Sequence, residues 1–231
     1  MKVKIRVVRA VSAPEDTEKY IEGHFKVLES YGVTKVTSAD RSWVHNPNVY
    51  LLLVESEDGK RILGGGRVQL RSEGFPLPLE GAILEKDERI VPYMSKFEDL
   101  KVAEYCGLWN SKEVSGYGIG SIYLIRIGVA LTSFLNLKCL MAFCSPFTVA
   151  NSQAVGLRII EELGDNGTFL YPKEGLIATI MEVEDVEKLE RALPEEKSFI
   201  SDLRSNPKQI KILQSKMGEM EVEFDLNLSA L

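Results

Sequence analysis

The sequence predicts a mixed α/β (α+β) fold built on one central sheet flanked by helices. Three observations predict it. Strand-length apolar runs alternate with helix-period segments through the middle of the chain, a hairpin signal precedes them, and no internal repeat or low-complexity tract breaks the order. The 231 residues are 45% hydrophobic and 27% charged, a balance that suits a soluble globular protein with a sizeable core and excludes wholesale disorder.

Residues 1–10 alternate and are rich in Val and Ile, as a strand does. Ser12 then caps a helix with Pro14 in its first turn; this helix is expected to carry Tyr20, Ile21, Phe25 and Leu28 inward and to stop near Gly32. Residues 49–55 form a nearly continuous apolar strand. Glu57-Asp58-Gly59-Lys60 turns the chain into a return strand over 61–70, in which Gly64-Gly65-Gly66 marks a bulge or a close backbone approach. After a Pro-containing loop at 74–78, residues 79–98 read as mostly helical. The order then runs strand (101–111), glycine-rich turn (115–120), long helix (119–136), strand (137–145) and helix (149–163), with last strands at 168–171 and 176–183. From residue 185 the tail reads as two or three short helices and an alternating edge strand at 219–228. Residues 1–184 are expected to form one domain, with 185–231 a helical appendage ending in a strand and packed on it. That final strand suits a sheet edge or a second subunit, so a homodimer contact through Phe224 is an expectation.

Lys plus Arg number 28 against 34 Asp plus Glu, a formal charge of -6, which argues against nucleic acid as the main partner. Cys106, Cys139 and Cys144 have no C-x-x-C spacing, and His24 and His45 stand far apart. The cysteine spacing argues against a disulfide framework or zinc cluster, two histidines exclude a multi-histidine metal site, no metal is expected, and a reducing cytoplasm is the simplest compartment. The most apolar stretch, 119–137, contains Arg126, Thr132, Ser133 and Asn136, so it reads as a buried helix rather than a membrane span. The amino terminus turns acidic after its first strand, unlike a signal peptide.

The most informative segment is 108–120, lying between a strand and a long apolar helix. Glycines at alternate positions of such a turn let backbone N–H groups converge on an anion, and the helix dipole adds to the attraction. A phosphate or pyrophosphate is the natural guest. A Walker loop would need a lysine where Gly120-Ser121-Ile122 has none, and Ser121 stands where a Rossmann fingerprint needs its third glycine.

The segment resembles the acyl-CoA-binding motif of the GNAT superfamily of N-acyltransferases, R/Q-x-x-G-x-G/A after a strand. Gly118 and Gly120 fall on its glycines and Gly116 on the glycine that commonly follows the arginine. Ser115 replaces the Arg or Gln, Asn110 a Val and Lys112 a Pro. Downstream, Asn151-Ser152-Gln153-Ala154 is similar to the superfamily's N-x-x-A helix and Leu163-Gly164 to its closing L-G, while Arg158 or Ile160 occupies the place of the tyrosine that often serves as acid. The resemblance implies a GNAT-like acyl-CoA N-acyltransferase fold, with strands splayed around the cofactor. It implies acetyl-CoA or another acyl-CoA as donor and a small amine as acceptor. It assigns donor binding to Leu108, Trp109, Asn110, Ser115, Gly116, Tyr117, Gly118, Ile119, Gly120, Ser121 and Asn151, with an amide near Leu108 or Trp109 polarising the thioester carbonyl.

Glu104 is the candidate base. It lies in Val102-Ala103-Glu104-Tyr105-Cys106, where a carboxylate is out of place, and on strand parity it shares a face with Leu108 and Asn110. Ser145 and Tyr117 are candidate proton donors or thiolate contacts. Cys106 and Cys144 read as packing residues; His24 lies on the first helix, where the resemblance implies acceptor-binding residues, and reads as a surface histidine. A narrower resemblance, to the acyl-homoserine-lactone synthases, rests on Gly64-Gly65-Gly66-Arg67 against their G-x-x-R. Glu104-Tyr105-Cys106-Gly107 keeps the glutamate of their E-x-S-R but has Cys for Ser and Gly for Arg. It implies an enlarged acyl pocket, with Arg67 and Arg71 as possible contacts for an acceptor carboxylate. Two alternatives follow: such a synthase-like enzyme using acyl carrier protein, or a non-catalytic CoA-binding protein that lacks the motif's arginine and tyrosine.

Overall fold

The computed structural model describes residues 1–30, 32–33 and 40–228. Alternation buries Val3, Ile5 and Val7 of β1 (Lys2–Arg9) on one face of the sheet. Helix α1 (Pro14–Ser30) follows, then the hairpin β2 (Val49–Ser56) and β3 (Ile62–Leu70), both buried along nearly their whole length. Two short helices, α2 (Pro78–Leu84) and α3 (Ile90–Ser95), precede β4 (Val102–Asn110). After the glycine turn come α4 (Leu124–Phe134), β5 (Cys139–Cys144) and α5 (Pro146–Ala154), then β6 (Arg158–Ile159), β7 (Thr168–Leu170) and β8 (Ile177–Val183). The chain ends with α6 (Pro194–Ser205), β9 (Lys208–Ser215) and β10 (Gly218–Asp225).

The strands form one sheet in the order β6-β8-β5-β4-β3-β2-β1-β10-β9, with β7 paired to β8. Among the described residues only the β1–β10 and β4–β5 pairs are parallel. One core joins the inner face of β1, β2, β4 and β5 to α4 and α6. On the opposite face, Tyr20 of α1 packs with Trp43, Leu51, Leu53 and Trp109, while Val102, Met141 and Ile180 pack beneath α2 and α3. Among the described residues no helix is long and apolar enough to cross a membrane.

Three sequence expectations are corrected. The helix expected over 149–163 runs from Pro146 to Ala154 instead: Pro146 sits in its first turn, and Gly156, at φ +104°, ends it. The tail holds one helix of regular α type and an additional strand, β9, whose mixed charged and apolar pattern hid it. β10 is consequently not an edge. It lies between β1 and β9, with Glu221 and Glu223 paired to Lys2 at 3.2 Å and to Lys4 at 3.4 Å. Phe224 is fully buried in the main core, so it is a folding residue and not a contact for a second subunit.

Candidate functional site

β4 and β5 pair over three positions only, Val102↔Cys139, Ala103↔Leu140 and Glu104↔Met141, and then diverge. The cause lies in β4. Gly107 has φ +60°, and the register against β3 slips there, from Arg67↔Cys106 to Gly65↔Trp109. The phenol of Tyr20 donates to the Gly107 carbonyl at 2.6 Å, and a Cβ on Gly107 would collide with that same hydroxyl. This bulge bends β4 away from β5. It also overturns the expected parity: Glu104 faces α1 and α2, whereas Leu108 packs with Tyr105 against the opposite core.

A cavity of about 530 Å³ occupies the fork. One wall carries Glu104, Cys106 and His24 with Phe143, Tyr171 and Ile177; the other carries Ile125, Val129, Leu140, Ala142 and Leu157. Its size and mostly apolar lining, with few polar groups, are those of a small-molecule site.

Glu104 is 2% exposed and lines this cavity; its Oε2 accepts the Leu79 N–H at 2.7 Å. Burial pushes its carboxyl up to about 7, outweighing that hydrogen bond and the field of Arg67, which pull the other way. Arg67, 1% exposed, is not among the residues lining the cavity. Its guanidinium stands behind Cys106, with Nε donating to Sγ at 3.3 Å and its carbon 4.5 Å from the Trp43 ring centre. Arg71 is held by Glu80 through two hydrogen bonds, at 2.9 and 3.1 Å. Burial pushes the Cys106 thiol up to about 12, which leaves it protonated and unreactive.

His24 is not on the surface. It is 7% exposed and lines the cavity, and burial together with Arg67 pushes its imidazole down to about 4. The buried face of α1 carries Thr17, Tyr20 and His24, while Phe25, expected inward, is half exposed. A readable signal existed, because His24 lies four residues after Tyr20 and so shares its face.

The glycine turn lies at the other end of β4, and none of residues 115–121 lines the cavity. Gly116 and Gly118 have φ of +82° and +83°, and Gly118 starts a wide turn, Ile119–Tyr123, that runs into α4. The amides of Ser121, Ile122 and Tyr123 converge on the Gly118 carbonyl at 3.0–3.3 Å. Asn110 packs so closely on Gly120 that a Cβ there would overlap its side chain. Tyr117 packs against the main core. The Asn151 side-chain amide donates to the Ser121 carbonyl at 2.8 Å, tying α5 to the turn. Leu108 lines the cavity, as does the exposed Ser145 at the start of α5. The Trp109 indole turns away, against Gly23 of α1, into a separate groove. Among the described residues no cluster of three or more metal-ligating side chains occurs.

Glu104 and His24 make opposite contributions to stability. The folded chain keeps Glu104 protonated between about 4.5 and 7, where the unfolded chain is ionised, so this contribution is full below pH 4.5 and is lost as pH rises through 7. The folded chain keeps His24 neutral between about 4 and 6.5, so its contribution is full above pH 6.5 and is lost as pH falls through 4. Urea unfolding across pH 4–7 is expected to separate them. Relative to wild type, Glu104→Gln gains stability as pH rises, and His24→Gln loses it; difference curves that are flat or reversed would contradict the assignment.

No family model matches the sequence, and no curated protein matches it. Solved structures do. FeeM, an N-acyl amino acid synthase from uncultured soil microbes, superposes with a TM-score of 0.64 at 12% identity, covering 83% of this chain and 95% of its own. MesI, a CoA-dependent acyl-homoserine lactone synthase, gives 0.53 at 14% identity, covering 87% and 95%. ElaA of Escherichia coli gives 0.54 at 10% identity, covering 79% and 99%. These likenesses establish the architecture: the chain has the GNAT acyl-CoA N-acyltransferase fold.

Proposed function

We propose that this protein is an N-acyltransferase that moves an acyl group from an acyl-CoA thioester to the amine of a small acceptor by direct attack. The observation that carries the reading is a buried carboxyl, Glu104, at the point where β4 and β5 separate around an apolar cavity. Glu104 takes the proton that the acceptor ammonium must lose before its nitrogen can attack. The amide at Leu108 donates to the thioester carbonyl oxygen as charge develops there. A nitrogen–carbon bond forms, the carbon–sulfur bond breaks, and the proton that the nitrogen sheds on becoming an amide goes to the leaving thiolate. Ser145, on the cavity rim, is the group assigned to that last proton. The amides of Gly118, Ile119 and Gly120, with Asn110 and Asn151 bracing the turn, are assigned to the donor diphosphate, those of Ser115, Tyr117, Ser121, Ile122 and Tyr123 being given to carbonyls of the turn itself. The field of Arg67 behind Cys106 favours an acceptor that carries a carboxylate, in keeping with the description of FeeM as an N-acyl amino acid synthase.

The apolar wall of Ile125, Val129, Leu140, Ala142 and Leu157 suits an acyl chain longer than acetyl. Thiol release is expected to be faster with decanoyl-CoA than with acetyl-CoA. Ala142→Phe, which fills the gap from β5, is expected to cut kcat/KM for decanoyl-CoA by roughly tenfold or more and to spare acetyl-CoA. Equal losses with both donors would remove the assignment of this wall to the acyl chain. Binding of CoA without turnover on any amine would leave a CoA-binding protein in place of an enzyme. Turnover restricted to acyl carrier protein would change the donor.

A further inference from the structure

We infer that the outer edge of β9 pairs with the same edge of a second copy of this chain, about a two-fold axis at Ile210, so that two sheets join into one. This pairing does not depend on the acyl-transfer chemistry.

The sheet leaves one long edge open. At one end its last strands are β6 and β7, two and three residues long. At the other, β9 runs for eight residues, and among the described residues no strand pairs with its outer side. β9 and β10 pair at every position from Lys208↔Asp225 to Ser215↔Gly218, and the Leu226 N–H donates to the Pro207 carbonyl at 2.9 Å. Bonded and non-bonded pairs alternate along an antiparallel ladder, so residues 207, 209, 211, 213 and 215 bond to β10. The backbone N–H and C=O groups of Lys208, Ile210, Ile212 and Gln214 therefore point outward.

The devices that keep an edge strand solitary are missing here. β9 contains no proline and no bulge. Both its lysines are neutralised within the chain, Lys208 by Asp225 at 3.4 Å and Lys211 by Asp202 at 2.7 Å. On the uncovered face stand Ile210 and Ile212, 64% and 55% exposed. Their ladder neighbours Glu223 and Glu221 are taken by Lys4 and Lys2. A β-branched residue suits any strand, but Thr would meet that preference without leaving apolar surface in water.

One register suits self-pairing best. An axis at Ile210 sets Ile210 against its own copy and Lys208 against Ile212, which uses the outward groups of all three residues in about six backbone hydrogen bonds. The two Ile210 side chains meet, with the Ile212 side chains diagonal to them, and on the inner face Lys211 faces Gln209. An axis at Lys211 would set two lysines opposite each other. It would also require the Gln214 carbonyl, which already accepts the Tyr123 hydroxyl at 3.2 Å, and an axis at Ile212 would require that carbonyl too. Because the two-fold consumes the free edge of both copies, assembly stops at two chains.

The test is the mass of the full chain by sedimentation equilibrium, from roughly 1 μM to 1 mM. Wild type is expected to rise from the 25.9 kDa of one chain to twice that value and no further. Ile210→Lys, which puts two charges at the axis, and Ile210→Pro, which removes an outward N–H, are each expected to raise the dimer Kd by roughly tenfold or more. At a concentration where wild type is monomeric, Ile210→Lys is expected to melt at the wild-type temperature. On oxidation Ile210→Cys is expected to form an interchain disulfide, since the Cα atoms of a bonded antiparallel pair lie about 5.5 Å apart, whereas Ile212→Cys, facing Lys208, is not. Wild type that stays at one chain throughout overturns the pairing. So does a dimer whose Kd is unmoved by Ile210→Lys, a mass that climbs beyond two chains, or a cross-link that forms faster at residue 212 than at residue 210. None of these results bears on acyl transfer, which thiol release tests.

Discussion

Glu104→Gln is expected to lower kcat by about 10²- to 10⁴-fold, the usual contribution of a positioned general base, with both KM values little changed. Gln has nearly the shape of Glu and keeps an oxygen to accept the Leu79 N–H, so the fork should remain intact. What disappears is the group that accepts the ammonium proton. In wild type, kcat/KM is expected to rise as pH passes about 7, where the buried carboxyl ionises, and then to level off. The variant should lack that limb. A loss of less than about threefold, with the pH limb retained, would show that the proton goes elsewhere and that Glu104 serves only to shape the fork.

Phe224→Ala is expected to lower the unfolding free energy by about 3–5 kcal/mol, the range for removing a buried aromatic ring. For a chain of this size that corresponds to a fall in melting temperature of roughly 6–20 °C. Phe224 is fully buried, stands opposite Ile5 in the β1–β10 ladder and meets the Phe199 ring edge-on at 6.5 Å. It belongs to the same core as Ile200 and Leu203 of α6 and Val222 of β10. The tail is therefore expected to melt with the rest of the chain in one transition. A variant that melts in two steps, with only the first displaced, would make residues 185–231 a separate folding unit.

These two residues mark how far the sequence could be read. Glu104 stood out because a carboxylate interrupts an apolar strand, which is a local anomaly. Phe224 was legible as a strand residue with an apolar inward face, but its place was not, because nothing in 219–228 states which strand it will join. The glycine turn was legible in the same local way: the need of Gly116 and Gly118 for positive φ shows as glycine in the sequence. His24 was misread because a single polar residue on an amphipathic helix looks solvated until the partner surface is known.

Alternation, helical period, a hairpin turn and a run of glycines are properties of neighbouring residues, and they carried the element order and the location of the turn. The fork, the faces it presents and the depth of its polar groups depend on surfaces brought together from far along the chain. Tyr20 reaches a carbonyl 87 residues away to hold the bulge at Gly107, and that one extra residue puts Glu104 and Leu108 on opposite faces. Arg67 from β3 then shares one desolvated region with His24 from α1 and with Glu104, and its field opposes the protonation of both. Such couplings arise from burial and contact geometry, which a linear pattern does not contain until the sheet has closed around them.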